Sequence, residues 1–376
     1  MPLTIGVAGE VADGEKRVAM VPEVAKKLAD LKVRVTMESL SGLASHYKDT
    51  DYAGVDWKTS AEEIYGNSPL VWMVQPPTAE RIDQLASGTV IAGLLQPYAD
   101  RARLEHLCAR GITSFAMELV PRISRAQSMD ALSSQAACAG YQCALIAAAR
   151  STKFFPMLTT AAGTIRPARV FVIGAGVAGL QAIATARRLG AIVEAYDVRS
   201  AAREQIESLG AKFLDTGVTA EGAGGYAREL TAEEKAAQQE KLAKALSTAD
   251  CIICTAAIPG RKAPVIVTRD MVARMKFGAI IVDMAAESGG NCELTVPGEH
   301  VIANDVNIHG PLNLPSRMPT HASEMYAKNL YNLFSPFIKD GELKLDLADE
   351  VLAGCLLTHD GRVVNENVRK ILGIEG

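Results

Sequence analysis

Residues 169–197 read RVFVIGAGVAGLQAIATARRLGAIVEAYD, and this stretch decides the fold. Gly174, Gly176 and Gly179 form G-x-G-x-x-G. Such a pattern arises by chance, so its flanks carry the weight. Val170, Phe171, Val172 and Ile173 predict a strand running straight into Gly174. Residues 177–189 predict a helix, ended by Gly190. Residues 192–196 predict a second strand, and it ends in Asp197, 18 residues after Gly179. Strand, glycine turn, helix, strand and acid together make a dinucleotide-binding fingerprint. Gly174 permits the tight turn, Gly176 lets a pyrophosphate approach the backbone, and Gly179 lets the helix sit close on the strand. The helix N-terminus offers N–H groups and the positive end of its dipole to the pyrophosphate. The Asp197 carboxylate suits both hydroxyls of an adenosine ribose and repels a 2′-phosphate, which favours NAD over NADP. Arg199, two residues on, weakens that preference.

Outward from this motif, strands and helices alternate. Strands are predicted at 3–8, 33–38, 70–74, 90–94 and 112–115, with a helix at 22–31. Residues 128–150 hold eight alanines and one glycine, with apolar residues all the way round, as in a buried connecting helix. Residues 155–169 predict a hairpin turning at Ala161-Ala162-Gly163. Strands at 170–173, 192–196, 251–255, 279–283 and 301–303 build a second α/β unit. Within it, residues 221–246 open on a glycine-rich run and continue as a charged helix, which reads either as a lid or as an exposed insertion. An amphipathic helix carrying Met325, Leu330, Leu333, Phe334 and Phe337, then a hairpin turning at Asp360-Gly361, folds back on the first domain. The predicted fold is α/β, with two Rossmann-like doubly wound parallel-sheet domains separated by a cleft. Residues 1–128 plus 307–376 form the first domain, and residues 129–306 the nucleotide-binding one.

Composition narrows the function. The 376 residues are 48% hydrophobic and 22% charged, a globular balance. With 39 basic and 43 acidic residues the formal charge is −4, so no basic surplus exists for nucleic acid. The longest mostly apolar stretch, 171–186, is broken by three glycines and Gln181, and falls short of the ~20 residues a membrane span needs. Met-Pro-Leu-Thr-Ile at the start carries no basic region, so no signal peptide is expected. Seven scattered cysteines fit a reduced, cytoplasmic setting. Cys251 and Cys254 lie in an apolar strand with their thiols on opposite faces, and the histidines show no ligand spacing; no metal site is expected. The loop at 259–264 follows a strand and reads either as part of the ligand side or as plain surface.

Residues 169–197 resemble the second signature of the alanine dehydrogenase and pyridine nucleotide transhydrogenase group. Glu15-Lys16-Arg17-Val18-Ala19 with Pro22 resembles its first signature. Residues 121–134, PRISRAQSMDALSS, resemble the Arg-Gln-Asp loop of the proton-translocating transhydrogenases, a more specific string than the glycines. Tyr226 resembles the tip of their mobile loop. The similarity runs over essentially the whole chain and points to their NAD(H)-binding component as a separate subunit.

This resemblance implies a homodimer of two-domain protomers, with NAD(H) in the cleft on the second domain. NADP(H) is then held by a partner component attached to membrane-embedded subunits that move protons. The chain itself is expected to be cytoplasmic and peripheral at the membrane. By position, Arg122, Ile123, Ser124, Gln127, Ser128, Met129, Asp130 and Ser133 surround the nicotinamide end. Arg122, Gln127, Asp130 and Ser133 form the catalytic set, and Gln127 helps bring the two nicotinamides together. Gly174, Ala175, Gly176, Val177 and Gly179 hold the pyrophosphate; Asp197, Val198 and Arg199 hold the adenosine ribose. Gly225, Gln238 and Ala257 line the pocket, Tyr226 closes over it, and the 155–169 hairpin serves the dimer. Direct hydride transfer demands positioning and exclusion of water, with no general acid, and this polar set meets that demand. Asp130 also reads as a helix-start residue favoured by the dipole.

Alanine dehydrogenase is the rival within the group. Its members use a Lys and a His in the first domain and an Asp in the second. Here those positions read Val74, Gln96 and Glu287, and only Arg17 of the substrate set remains. Without proton-transfer groups, amino-acid oxidation should be slow or absent. A non-catalytic NADH sensor is the rival from another class, and the glycine motif fits it equally.

Overall fold

The computed structural model describes residues 2–217, 231–257 and 260–374. The chain divides into two compact units, Met1–Gln135 with Pro315–Gly376, and Ala136–Leu314.

In the first unit, six strands lie in the order β3-β2-β1-β4-β5-β6, all parallel. They are β1 (Thr4–Val7), β2 (Arg34–Glu38), β3 (Val55–Lys58), β4 (Leu70–Trp72), β5 (Val90–Gly93) and β6 (Thr113–Ala116). All of β4 and most of β1 and β5 are buried, as expected for a sheet covered on both faces. The chain builds outward from β1 to β3, then returns to place β4 on the other side of β1. The C-terminal strands Leu356–His359 and Arg362–Val363 pair through the Asp360-Gly361 turn and add antiparallel to β6.

The helix Pro319–Phe334 covers this sheet and buries Tyr326, Leu330, Leu333 and Phe334. The Phe334 ring stacks edge-on against Phe115 at 5.7 Å and lies 6.0 Å from Trp72. Met325 and Phe337, expected on the same stripe, are only half-buried. One residue is about 100° of helix, so Tyr326 takes the core-facing position instead of Met325.

The helix Ala131–Arg150 runs across the division between units, which falls at Gln135 and Ala136. It stays buried or half-buried to Ala148. A Cβ on Gly140 would stand 2.0 Å from the Ala178 carbonyl oxygen, so glycine there lets two helix backbones touch.

The second unit opens with an antiparallel hairpin, β7 (Leu158–Thr160) and β8 (Gly163–Ile165). Its main sheet has the order β11-β10-β9-β12-β13-β15-β14. These strands are β9 (Arg169–Ile173), β10 (Ile192–Tyr196), β11 (Lys212–Phe213), β12 (Cys251–Cys254), β13 (Ile280–Asp283), β14 (His300–Ala303) and β15 (Val306–His309). All pairings are parallel except β14 with β15. The strand expected at 301–303 is therefore an antiparallel edge. Its reversal is made by Asn304 and Asp305, both at positive φ (48° and 60°), the geometry of a tight two-residue hairpin turn.

Cys251 and Cys254 pack into separate apolar clusters on opposite faces of this sheet. Burial pushes the Cys251 thiol up to about 12 and the Cys254 thiol well above its ordinary value, so both are inert packing groups. Among the described residues, no helix is long and apolar enough to cross a membrane. Nor does any group of three or more His, Cys, Asp or Glu among them stand ready to hold a metal ion.

Candidate functional site

The glycine turn sits at the C-terminal end of β9, where the sheet order reverses. The chain places β10 and β11 on one side of β9, then returns to set β12 on the other. Crevices at such a reversal are where open α/β sheets take their ligands.

Each motif glycine has a distinct geometric reason. Gly174 has φ +89°, a left-handed conformation that side chains resist. A Cβ on Gly179 would stand 1.9 Å from the Gly174 carbonyl oxygen, so the helix Val177–Arg188 lies directly on the turn. A Cβ on Gly176 would meet no atom of the described residues within 4 Å. The packing of the described residues therefore does not itself require a glycine here. Among the described residues no side chain caps this helix, and Gly176 and Val177 are exposed at its start. Uncapped N–H groups on an open backbone fit a bound pyrophosphate.

Asp197 lies just past β10 and is 8% exposed. Its Oδ2 accepts from the Ala175 N–H at 2.7 Å and from Arg199 Nη2 at 2.9 Å. Its Oδ1 accepts from the Arg199 N–H and Nε, both at 2.9 Å. Burial opposes ionisation, but the Arg199 guanidinium and the two backbone N–H groups outweigh it and hold the carboxyl below the usual Asp range. Val198 is half-buried beside it. Asp197 therefore also fastens the glycine turn, through Ala175.

Gln238, on the helix Ala232–Leu246, donates to the Tyr196 hydroxyl and so braces the end of β10. Ala257 is exposed, just beyond β12. Gly225 and Tyr226 lie outside the described residues, as does the glycine-rich run that precedes this helix.

Two residues that sequence reasoning passed over organise this end of the sheet. Thr255 donates its hydroxyl toward the Ile173 and Gly174 carbonyls, at 3.1 and 3.0 Å, which ties β12 to the turn. Asn291 is fully buried. Its Oδ1 accepts from the Ala256 N–H at 3.0 Å, and its Nδ2 donates to the Ala256 and Pro264 carbonyls at 2.8 and 2.9 Å. Asp283 in turn accepts from the Asn291 N–H at 2.8 Å. The only sequence cue is the run Gly289-Gly290-Asn291 after a strand, which announces a turn and not its partners.

In the first unit, residues 122–133 form a short 3₁₀ turn, Ser124–Met129, leading into the helix Ala131–Arg150. Ala126 and Met129 are buried in the core, and the Ser128 carbonyl accepts from Asn329 and Asn332. That anchoring leaves Arg122, Ser124, Gln127 and Ser128 exposed, with Ile123 half-buried. Asp130 accepts from the Ser133 N–H at 2.8 Å and the Ser133 hydroxyl at 2.6 Å. The helix-start reading of Asp130 thus holds, and it shapes the turn that presents Gln127.

Two sequence profiles cover nearly all of this chain. Alanine dehydrogenase/PNT, N-terminal domain, matches residues 6–139, and Alanine dehydrogenase/PNT, C-terminal domain, matches residues 143–366. The chain belongs to the alanine dehydrogenase/PNT family.

Within that family it is 46% identical to the first part of NAD(P) transhydrogenase subunit alpha of Rhodospirillum rubrum, over 96% of this chain and 98% of the relative. A crystal structure of transhydrogenase from Sinorhizobium meliloti matches with a TM-score of 0.88 and 43% identity, over 96% of this chain and 100% of that one. Alanine dehydrogenase of Mycolicibacterium smegmatis is 26% identical, over 99% of this chain and 97% of that relative.

At the positions where the sequence leads one to expect the proton-transfer groups of an alanine dehydrogenase, the side chains are Val74, Gln96 and Glu287. Val74 is fully buried, and its N–H donates to Glu10 at 2.6 Å. Gln96 has φ +48°, and its N–H donates to Glu118 at 2.7 Å. Arg17 is buried and held by Glu15 at 2.6 Å and by Gln135 at 2.9 Å. Burial is set against that guanidinium, which wins and holds Glu15 down to about 2. Glu287 accepts from the Asn313 N–H.

Proposed function

We propose that this chain is the NAD(H)-binding component of a proton-translocating transhydrogenase, and that it gives hydride directly to NADP+ on a partner subunit. The observation that carries this reading is the open backbone at Gly176 beside Asp197, in a chain 46% identical to a transhydrogenase alpha subunit. When bound, NADH supplies the hydride from its nicotinamide ring. The chain's residues do the rest. Residues 174–177 cradle the pyrophosphate, with Gly179 keeping the helix close. Asp197 and Val198 meet the adenosine ribose with Arg199 beside them, and Gln238 and Ala257, with Gly225 and Tyr226, complete the pocket.

Arg122, Gln127, Asp130 and Ser133 orient the nicotinamide end, with Ile123, Ser124, Ser128 and Met129 around them. Orientation and exclusion of water are what this transfer requires, because no proton moves in the step. We assign the chain to a homodimer, in which exposed Phe154, Met157 and Ile165 around the β7–β8 hairpin contact a second copy. Its partners are membrane-embedded subunits carrying the NADP(H) site and the proton path, which hold it peripherally at the cytoplasmic face.

The test is to mix the purified chain with the NADP(H)-binding component and follow NADH-dependent reduction of an NADP+ analogue. Transfer that needs both proteins supports the reading. NADH binding without any transfer would favour a sensor.

A further inference from the structure

The Asp197 carboxylate has about four lone-pair positions, and all four already face donors. Two of the donors are backbone N–H groups, fixed by the glycine turn and by the residue after next. The other two are the Nε and Nη2 of Arg199, in the parallel fork that best fits a carboxylate. The Asp197 side chain is 6% exposed, whereas that of Arg199 is 41% exposed. So the guanidinium is the movable cover, and the carboxylate is the covered group. A ribose diol needs the same two outward positions that Arg199 fills.

We propose that Arg199 is an internal competitor for the nucleotide ribose: its fork fills the Asp197 positions a diol needs and must swing away before adenosine can bind. This rests on the NAD(H) reading above. Two consequences follow from the geometry. Binding exchanges one pair of charge-assisted hydrogen bonds for another, so the observed affinity is the difference between them. Once displaced, the guanidinium is a free cation beside the ribose 2′-oxygen, where it offsets the repulsion between Asp197 and a 2′-phosphate. Arg199 therefore weakens both affinity for NAD(H) and discrimination against NADP(H).

The experiment compares the full chain with Arg199→Ala and Arg199→Lys. Affinities are measured for NADH by fluorescence, and by calorimetry for adenosine and for adenosine 2′-phosphate. Adenosine carries the diol without phosphate, so it isolates the exchange at Asp197 from long-range attraction between Arg199 and the pyrophosphate. Arg199→Ala should bind adenosine and NADH about three- to five-fold more tightly, the worth of a partly exposed ion pair. It should bind adenosine 2′-phosphate more weakly than wild type. Arg199→Lys, a single point charge in place of the fork, should fall between. The nucleotide-free Ala variant should also melt lower than wild type, because it has lost the capping pair. A merely structural role would lower the melting point without tightening adenosine.

Unchanged or weaker adenosine binding in Arg199→Ala, with wild type binding normally, would overturn the competitor role alone. A wild-type chain that bound neither adenosine nor NADH would overturn the NAD(H) reading as well.

Discussion

The Gly174 carbonyl oxygen lies 1.9 Å from where a Cβ on Gly179 would stand, while a Cβ on Gly176 would touch none of the described residues. Backbone blocks the first position, and none of the described residues blocks the second. Gly179→Ala should therefore destabilise the fold by about 1–3 kcal/mol, as overpacking does. Gly176→Ala should leave stability within about 0.5 kcal/mol yet weaken NADH binding at least about ten-fold, if backbone approach is what that glycine permits. Denaturant unfolding paired with NADH titration checks both. A Gly176→Ala chain that binds NADH normally would remove the pyrophosphate from this turn.

Asp197 fastens Ala175, and we assign it to the adenosine ribose. Asp197→Ala should weaken NADH binding by about ten-fold, the scale of hydrogen bonds to a charged group. It should also narrow the gap between NADH and NADPH, since the repelling carboxylate is gone. Fluorescence titration with both nucleotides gives the ratio, and an unchanged ratio would assign cofactor choice to another group.

Glu10 accepts the N–H groups of Val74 and Gln75 at 2.6 and 3.1 Å and lines a cavity of about 280 Å³ with Glu15, Arg17, Glu38 and Arg81. Burial raises its carboxyl to about 7, against those two N–H groups. A carboxyl raised on folding holds its proton more tightly in the native state. Its contribution is complete below the ordinary value of 4.5 and is lost as pH climbs to about 7. The loss is at most about 3 kcal/mol, at 1.36 kcal/mol per pKa unit. Urea unfolding at pH 5 and pH 8 should show a fall in the wild-type chain that Glu10→Gln largely abolishes. An equal fall in both would place the proton elsewhere.

Oxidation of an amino acid requires groups that pass protons, and Val74 and Gln96, where the sequence analysis expects them, cannot. Arg17 is committed to Glu15 and Gln135. NADH oxidation with pyruvate and ammonia should stay at the background rate, measured by absorbance at saturating substrates. Turnover would show that other residues supply the proton chemistry.

The nucleotide-binding half is legible in the sequence because its signals are local. Residues 170–197 carry strand, turn, helix and acid in one unbroken run, and each glycine's demand is set by its nearest neighbours. The C-terminal hairpin is legible for the same reason, at Asp360-Gly361. What the sequence hides depends on partners far along the chain. Asn291 serves Ala256, 35 positions away, and nothing near Asn291 announces it. Strand β3 has the edge pattern Val-Asp-Trp-Lys, half-exposed or exposed throughout, so it lacks an apolar run. The Asn304-Asp305 reversal lacks the glycine that usually marks a two-residue hairpin turn, so the strand beyond it goes unsignalled. Arg199 is visible two residues after Asp197, but its fork on that carboxylate is a side-chain fact that spacing does not carry.

The exposed carboxamide of Gln127, on a turn anchored through Ala126, Met129 and Ser128, is the side chain we assign to bringing the two nicotinamides together. The most direct test is rapid mixing of NADH-loaded chain with the NADP+-loaded partner component, for wild type and Gln127→Asn. Shortening the side chain by one methylene should slow hydride transfer by about ten-fold or more, as misplacement of a reacting group does, with NADH affinity nearly unchanged. Absence of transfer in the wild-type pair, with NADH demonstrably bound, would contradict the transhydrogenase assignment.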